Sequence, residues 1–313
     1  MTFKNRFIFL VSAITLLVLA YTASYIFSAE RGNAASAQYV WLDRKLAANT
    51  DKIVINTGLQ TVELLKRDNS WHVLNNGILY PARNTRIEDF IGIFTKKSAW
   101  PVRSSSASSH DKFGLISEKS SRVTVYGGNA VILDLLLGDS DITGREIYLR
   151  KFANNEVRSG ENDIVSYVNG PVNNWFNLAL IPESRETGID SVQRLTVYNN
   201  GETQVFSRNN REWTVSGINV ENPDFNSIEN YIRTVLNTEG DNFADSVNPN
   251  DPIFNKSRII FEFGNGKVIT VRLSELDETN RSFASVSGSE FVYSVPSWVT
   301  ARIFRTAKEF EKK

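Results

Sequence analysis

No cysteine occurs among the 313 residues, which removes disulfides, thiolate nucleophiles, thiolate metal sites and cysteine lipidation together. Histidine is nearly as scarce. Only His72 and His110 are present, and they leave most general-base and zinc-site arrangements short of parts. Net charge is missing as well. Thirty-five Lys and Arg balance thirty-five Asp and Glu, so no overall field draws the chain toward phosphate backbones, and nucleic acid is not an expected partner. What remains is ordinary globular material, 41% hydrophobic and 22% charged, which fits neither general disorder nor a polytopic membrane protein. A chain of this length has room for about two domains.

One long apolar run is present. Phe7 to Phe27 holds no charged residue, and at about 1.5 Å per helical residue it reaches roughly 30 Å, the thickness of a hydrocarbon core. Ser12, Thr15, Thr22 and Ser24 are tolerable there, because a hydroxyl bonds back to a carbonyl one turn earlier. Tyr21, Tyr25 and Phe27 crowd the far end, where aromatic rings suit the interface, and Lys4 and Arg6 precede the run, favouring a cytoplasmic amino terminus. The expectation is an uncleaved signal anchor over residues 1–30 and a juxtamembrane segment over 31–50, with Gln38 to Ala48 as a short helix. The bulk of the chain then lies outside the cytoplasm, tethered by a single pass to the inner (cytoplasmic) membrane of a bacterium. The alternative is a signal peptide cut after Ala35-Ser36-Ala37. Its apolar region would be longer than the roughly 7 to 15 residues such peptides use.

The remainder reads as one unit written twice. Lys52-Ile53-Val54-Ile55 alternates like Arg194-Leu195-Thr196-Val197, and Trp71-His72-Val73 matches Trp213-Thr214-Val215, each 142 residues on. Ile87, Phe90, Ile91 and Phe94 form a helical stripe, repeated by Ile228, Tyr231, Ile232 and Val235. Asn84 and Asp224 stand where helix caps are expected. Gly127-Gly128-Asn129 and Gly264-Asn265-Gly266 suit hairpin turns. Later strands are expected at Glu146 to Arg150, Ile164 to Val168, Ser282 to Val286 and Phe291 to Val295. Pro171 to Trp175 and Pro296 to Trp298 are read as a matched proline-to-tryptophan step. The expected fold class is α+β: a transmembrane helix, then two tandem units, each a mostly antiparallel sheet with one amphipathic helix. The units are placed at 51–180 and 191–304, with a linker at 181–190 and a charged, fraying tail at 305–313.

The marks Trp71-His72-Val73, Ile87 to Phe94, Phe113-Gly114-Leu115 and Leu133 to Gly138, behind a signal anchor, resemble the bacterial family catalogued as domain of unknown function 4340. The second unit departs from the pattern, with Phe254-Asn255 where Phe-Gly-Leu would fall. Members of that family are often encoded beside ABC-type transporter genes and resemble accessory components of gliding-motility transport systems. The resemblance implies an extracytoplasmic accessory subunit and no catalytic residue.

Candidate chemistry is sparse. Gly138-Asp139-Ser140 is similar to the Gly-Asp-Ser nucleophile of one esterase class, but neither histidine stands in an Asp-x-x-His arrangement. Asp139 and Asp141 could share a cation with Asp134 or Glu146, although oxygen-only sites usually need about six ligands. Gly264 to Lys267 ends like a phosphate loop without its spacing. Ser104 to Ser109 reads as a mobile low-complexity loop. No catalytic, cofactor-binding or metal-ligating residue is assigned, and no cofactor is expected. The expected function is a non-enzymatic, membrane-anchored scaffold whose partners are the membrane and ABC-type transporter subunits. The alternatives are a periplasmic protein that binds an envelope glycan, lipid or peptide, and a hydrolase using Ser140.

Overall fold

The computed structural model describes residues 13–23, 38–182, 188–210 and 212–312. Residues 13–23 are helical; the rest of the expected anchor and the Ala35-Ser36-Ala37 site lie outside the described residues. Among the described residues, no helix is long and apolar enough to cross a membrane. The chain is α+β with large antiparallel sheets, and it divides into two units, Met1–Phe176 and Asn177–Lys313.

In the first unit the chain forms β1 (Gln38–Tyr39), α1 (Arg44–Ala47), β2 (Thr50–Asn56), β3 (Thr61–Arg67), β4 (Ser70–Asn75) and β5 (Ile78–Pro81). Then come α2 (Asn84–Thr95), β6 (Ser98–Ala99), β7 (Val102–Ser104), β8 (Ser121–Gly127), β9 (Ala130–Ser140), β10 (Glu146–Lys151), β11 (Val157–Glu161) and α3 (Val165–Val168). Nine strands make one sheet in the order β5-β4-β3-β2-β8-β9-β10-β11-β7. Period-2 alternation buries Ile53, Ile55, Val62, Leu64, Val73, Val123 and Val125, while Asp68-Asn69 and Asn76-Gly77 supply the positive φ that tight hairpins need. Helix α2 buries Ile87, Phe90 and Phe94. Fully burying one such side chain stabilises by roughly 1.5–3 kcal/mol.

The second unit contains β12 (Val192–Asn199), β13 (Glu202–Asn209), β14 (Glu212–Ser216), α4 (Phe225–Leu236), β15 (Asn242–Phe243), β16 (Ser257–Phe263), β17 (Val268–Leu273), β18 (Arg281–Val286), β19 (Val292–Pro296) and α5 (Ser297–Ile303). Its sheet order is β14-β13-β12-β16-β17-β18-β19-β15. Taken strand for strand, this is the order of the first unit without β5.

The duplication extends to how each unit closes. A 3₁₀ turn at Val172–Trp175 ends the first unit, and one at Ala307–Phe310 ends the second. The carbonyl of Trp175 accepts from the Arg83 amide at 2.8 Å, and that of Phe310 accepts from the Asp224 amide at 2.7 Å. Isolated bridges Ala82↔Phe176 and Pro223↔Glu311 follow in both. Trp175 meets Phe90 at 5.5 Å, and Phe310 meets Tyr231 at 5.0 Å. The true counterpart of Trp175 is therefore Phe310. Trp298, expected to fill that role, is 59% exposed with Arg302 over its ring.

The opening segments match too. Gln38 and Tyr39 pair with Ala99 and Ser98, and Ala179 bridges to Glu239. Both times, chain ahead of the first long strand pairs with chain just after the helix.

These pairings correct several expectations. Gln38 to Ala48 is not one helix: it holds β1, buried Trp41 and Leu42, and the single turn α1, all within the first unit. Leu178 to Ile181 is a buried apolar run of the second unit, which begins at Asn177; residues 183–187 of the expected linker lie outside the described residues. Phe310 is fully buried, which makes the expected tail part of a core. Ile164 to Val168 is helical, with Ile164 and Val168 buried four residues apart; the strand comes earlier, at β11. Asn84 does not cap α2 by accepting its amides; its Oδ1 accepts from the Trp71 amide at 3.3 Å. Asp224 does cap α4, accepting from the Asn226 amide.

Candidate functional site

Ser140 ends β9 beside a hollow of about 230 Å³ lined by Gly138, Asp139, Val165, Val168 and Asn169. Its Oγ donates to the Asn162 side chain, at 3.4 Å. The histidines are bound elsewhere: His72 Nδ1 lies 3.2 Å from the Ser70 carbonyl, and His110 Nε2 lies 3.2 Å from that of Asn155. Neither histidine therefore stands beside Ser140. Gly138 is there for a packing reason. A Cβ on it would lie 2.1 Å from the Phe113 carbonyl oxygen, and one on Gly114 would lie 2.6 Å from Asp139 Cγ. Phe113-Gly114 and Gly138-Asp139 thus pack closely on each other, backbone against backbone at Gly138 and backbone against the Asp139 side chain at Gly114. The second unit carries Phe254-Asn255 and Ser274 at these places, so both glycines are replaced together.

The four carboxylates considered for a cation are engaged separately. Asp134 takes a bidentate pair from Arg122 at 2.9 and 2.7 Å. Glu146 accepts from Ser159 at 2.6 Å and from Arg103 at 2.7 Å, and these bonds hold its carboxyl below the usual range. Asp141 caps the β9–β10 turn, accepting from the Glu146 amide at 2.9 Å, the Thr143 hydroxyl at 2.6 Å and the Arg145 amide at 2.8 Å. Asp139 faces Gly114. No group of three or more His, Cys, Asp or Glu is placed to hold a metal among the described residues.

The Asp141 turn recurs. Asp141-Ile142-Thr143-Gly144-Arg145 corresponds to Asp277-Glu278-Thr279-Asn280-Arg281, and Asp277 accepts from the Thr279 amide and hydroxyl and from the Arg281 amide, each near 2.8 Å. Gly144 and Asn280 both take positive φ. An Asp-x-Thr-(Gly/Asn)-Arg repeat is its signal in the sequence.

Gly264 to Gly266 turn from β16 into β17, the Gly266 amide donating to the Phe263 carbonyl; no helix follows to receive a phosphate. Ser104 to Ser109 is internally bonded rather than a loose loop: Ser109 Oγ donates to Ser104 Oγ at 2.7 Å, and the Ser106 amide donates to the same oxygen. Trp71 and Trp213 are buried, 5% and 3% exposed.

A cleft of about 790 Å³ opens in the second unit, lined in part by Asn199, Thr203, Gln204, Gly217, Asn219 and Arg305. Gln204 Nε2 donates to the Arg305 carbonyl at 2.8 Å. In the first unit Gln60 Nε2 donates at 2.6 Å to the carbonyl of Gly170, the residue that corresponds to Arg305. The cleft adjoins the open end of the sheet at β14 and Gly217, whose backbone passes so near Thr203 that a Cβ would lie 2.2 Å from its carbonyl oxygen.

A twice-repeated antiparallel α+β unit, its polar clusters spent on turns and braces, defines the class. The family model described as Domain of unknown function (DUF4340) matches residues 71–258, and the chain belongs to that family. The matched span runs from β4 of the first unit to β16 of the second, across the boundary between them. No curated protein and no solved structure matches the chain.

Proposed function

We propose that this protein is a membrane-anchored accessory of an envelope complex, with ABC-type transporter subunits as its partners, and that its duplicated ectodomain serves as an interaction module rather than a catalyst. The anchor is the charge-free run Phe7 to Phe27, preceded by Lys4 and Arg6, which suits a single pass through the inner membrane with the amino terminus in the cytoplasm. The observation that carries the reading is duplication. The sheet order repeats, and the Asp141 turn, a polar cluster next to Ser140, recurs as the Asp277 turn, where no serine nucleophile motif precedes it. Features that both copies keep are those the fold needs.

The test is mild-detergent co-purification of the full-length, carboxy-terminally tagged protein from its native membrane, with its mass read from the same sample. Recovery of transporter subunits with an intact amino terminus is the expected result. Recovery of the protein alone, trimmed after Ala37, overturns the reading.

A further inference from the structure

The second unit leaves open a sheet edge that the first unit closes with its own chain. In the first unit β5 lies antiparallel to β4, Tyr80 opposite Val73, and the Trp71 carbonyl accepts from the Ala82 amide at 3.0 Å. Val73 is 0% exposed and Tyr80 1%. In the second unit β14 ends the sheet. The residues that correspond to Ile78-Leu79-Tyr80-Pro81-Ala82 are Asn219-Val220-Glu221-Asn222-Pro223, and they form no strand. The sequence explains why: Glu221 stands in place of Tyr80, and Pro223 has no amide to offer the Trp213 carbonyl. By the alternation of an antiparallel pair, the backbone groups of Trp213 and Val215 face away from β13, as those of Trp71 and Val73 face β5. Among the described residues no strand takes them up. Val215 accordingly stays half-buried where Val73 is sealed.

We propose that β14 is completed by strand addition from a partner protein, whose extended segment runs antiparallel to it and lays a large apolar or aromatic side chain over Val215. This rests on the interaction-module reading and names its surface. The first unit supplies the template for the occupant. Charge supplies a second requirement: the edge segment carries Glu212 and Glu221, while Asp224 caps α4 and faces Lys312, so the segment that fits places basic residues against these two carboxylates. A second copy of this chain fits poorly. Paired through its own β14 it would bring Trp213 to Val215, and Trp213 is 3% exposed within its own unit.

The probe is a fluorescent peptide of residues 76–86 of this chain, which carries Tyr80 together with Arg83 and Arg86, titrated into the purified full-length protein. Saturable binding is expected, with at least tenfold loss when the peptide carries Tyr80→Asp. Two protein variants should show the same loss. Val215→Pro removes one outward amide while sparing the bonds to β13. The graft N219I/V220L/E221Y/N222P/P223A gives the edge its own cover, and should unfold at or above the wild-type temperature. Absence of wild-type binding, or full binding by the folded graft, overturns the proposal. A dimer lost on grafting would assign the edge to a second copy and overturn the partner assignment. In native-membrane co-purification, subunits recovered by wild type and lost from the graft support the edge, whereas equal recovery overturns it. Failure of wild type to recover any subunit while the peptide still binds sinks the transporter reading alone.

Discussion

Asp141 sits in an exposed turn, yet its carboxyl is lowered to about 2, chiefly by the bond from the Glu146 amide and then by the Thr143 hydroxyl. Asp277 is lowered for the same reasons, with the Arg281 amide first. A carboxyl held below its ordinary value of about 3.9 stabilises the folded state fully above that value, and the contribution disappears as pH falls toward the folded value. Asp141→Asn should therefore lower the thermal unfolding temperature at pH 7, and the deficit should close between about pH 4 and pH 2. A deficit that stayed constant across that range would mean that shape rather than charge holds the turn. At this scale the sequence was legible only where it was compared with itself. Ser140, Asp139 and Asp141 taken alone suggest chemistry; beside Asp277, Asp141 is a turn residue. The joint loss of Gly114 and Gly138 in the second unit carries similar information, because Gly138 is explained by the Phe113 carbonyl and Gly114 by the Asp139 side chain, contacts that no single-residue pattern reveals.

Helices α2 and α4 were legible because four apolar positions recur at helical spacing in each, and packing of that stripe dominates helix stability. The segments that close over them were not. Phe310 stands between Glu309 and Glu311 and just before two lysines, so local composition reads as a solvated tail, yet its ring packs against Phe206 at 5.3 Å and Tyr231 at 5.0 Å. Burial pushes the Tyr231 hydroxyl up, and it donates to the Ile303 carbonyl at 2.6 Å, tying α5 to α4. Ile164 to Val168 misled differently: β-branched residues favour strands in the abstract, but the buried pair four residues apart obeys the helical period. Phe310→Ala should cost about 3–5 kcal/mol, the usual range for truncating a buried aromatic. The loss should fall on the second unit, seen as faster hydrogen exchange in α4 with α2 unchanged. Equal loosening of both helices would show that the ring matters to more than its own unit.

At the scale of the whole chain, the repeat was visible from matched strands, tryptophans and helix stripes, but its limits were not, because the residues that open and close each copy share little sequence. Gln38-Tyr39 and Ala179 do the same work with different side chains, since main-chain pairing with Ala99 and Ser98, or with Glu239, asks little of residue type. Trp175 and Phe310 likewise differ in identity. Length and periodicity therefore placed the first unit at 51–180, whereas hydrogen bonding places its folded part at 38–176. The two choices differ in physical content. Residues 38–50 bring Trp41, whose ring meets Trp100 at 5.5 Å, and the Trp41 and Leu42 amides that both donate to the Phe94 carbonyl at the end of α2. Residues 177–180 add a buried apolar run that bonds to Thr238 and Gly240 of the second unit. A 38–176 fragment keeps each of these groups with its partner; a 51–180 fragment strands Trp100 and the Phe94 carbonyl at one end and exposes Leu178 and Leu180 at the other. Expressed alone, the 38–176 fragment should be soluble and unfold in one cooperative transition, and the 51–180 fragment should aggregate or unfold without a sharp transition. Equal cooperativity in both would show that the opening segment is an appendage, and that the repeat is held together by its sheet and helix alone.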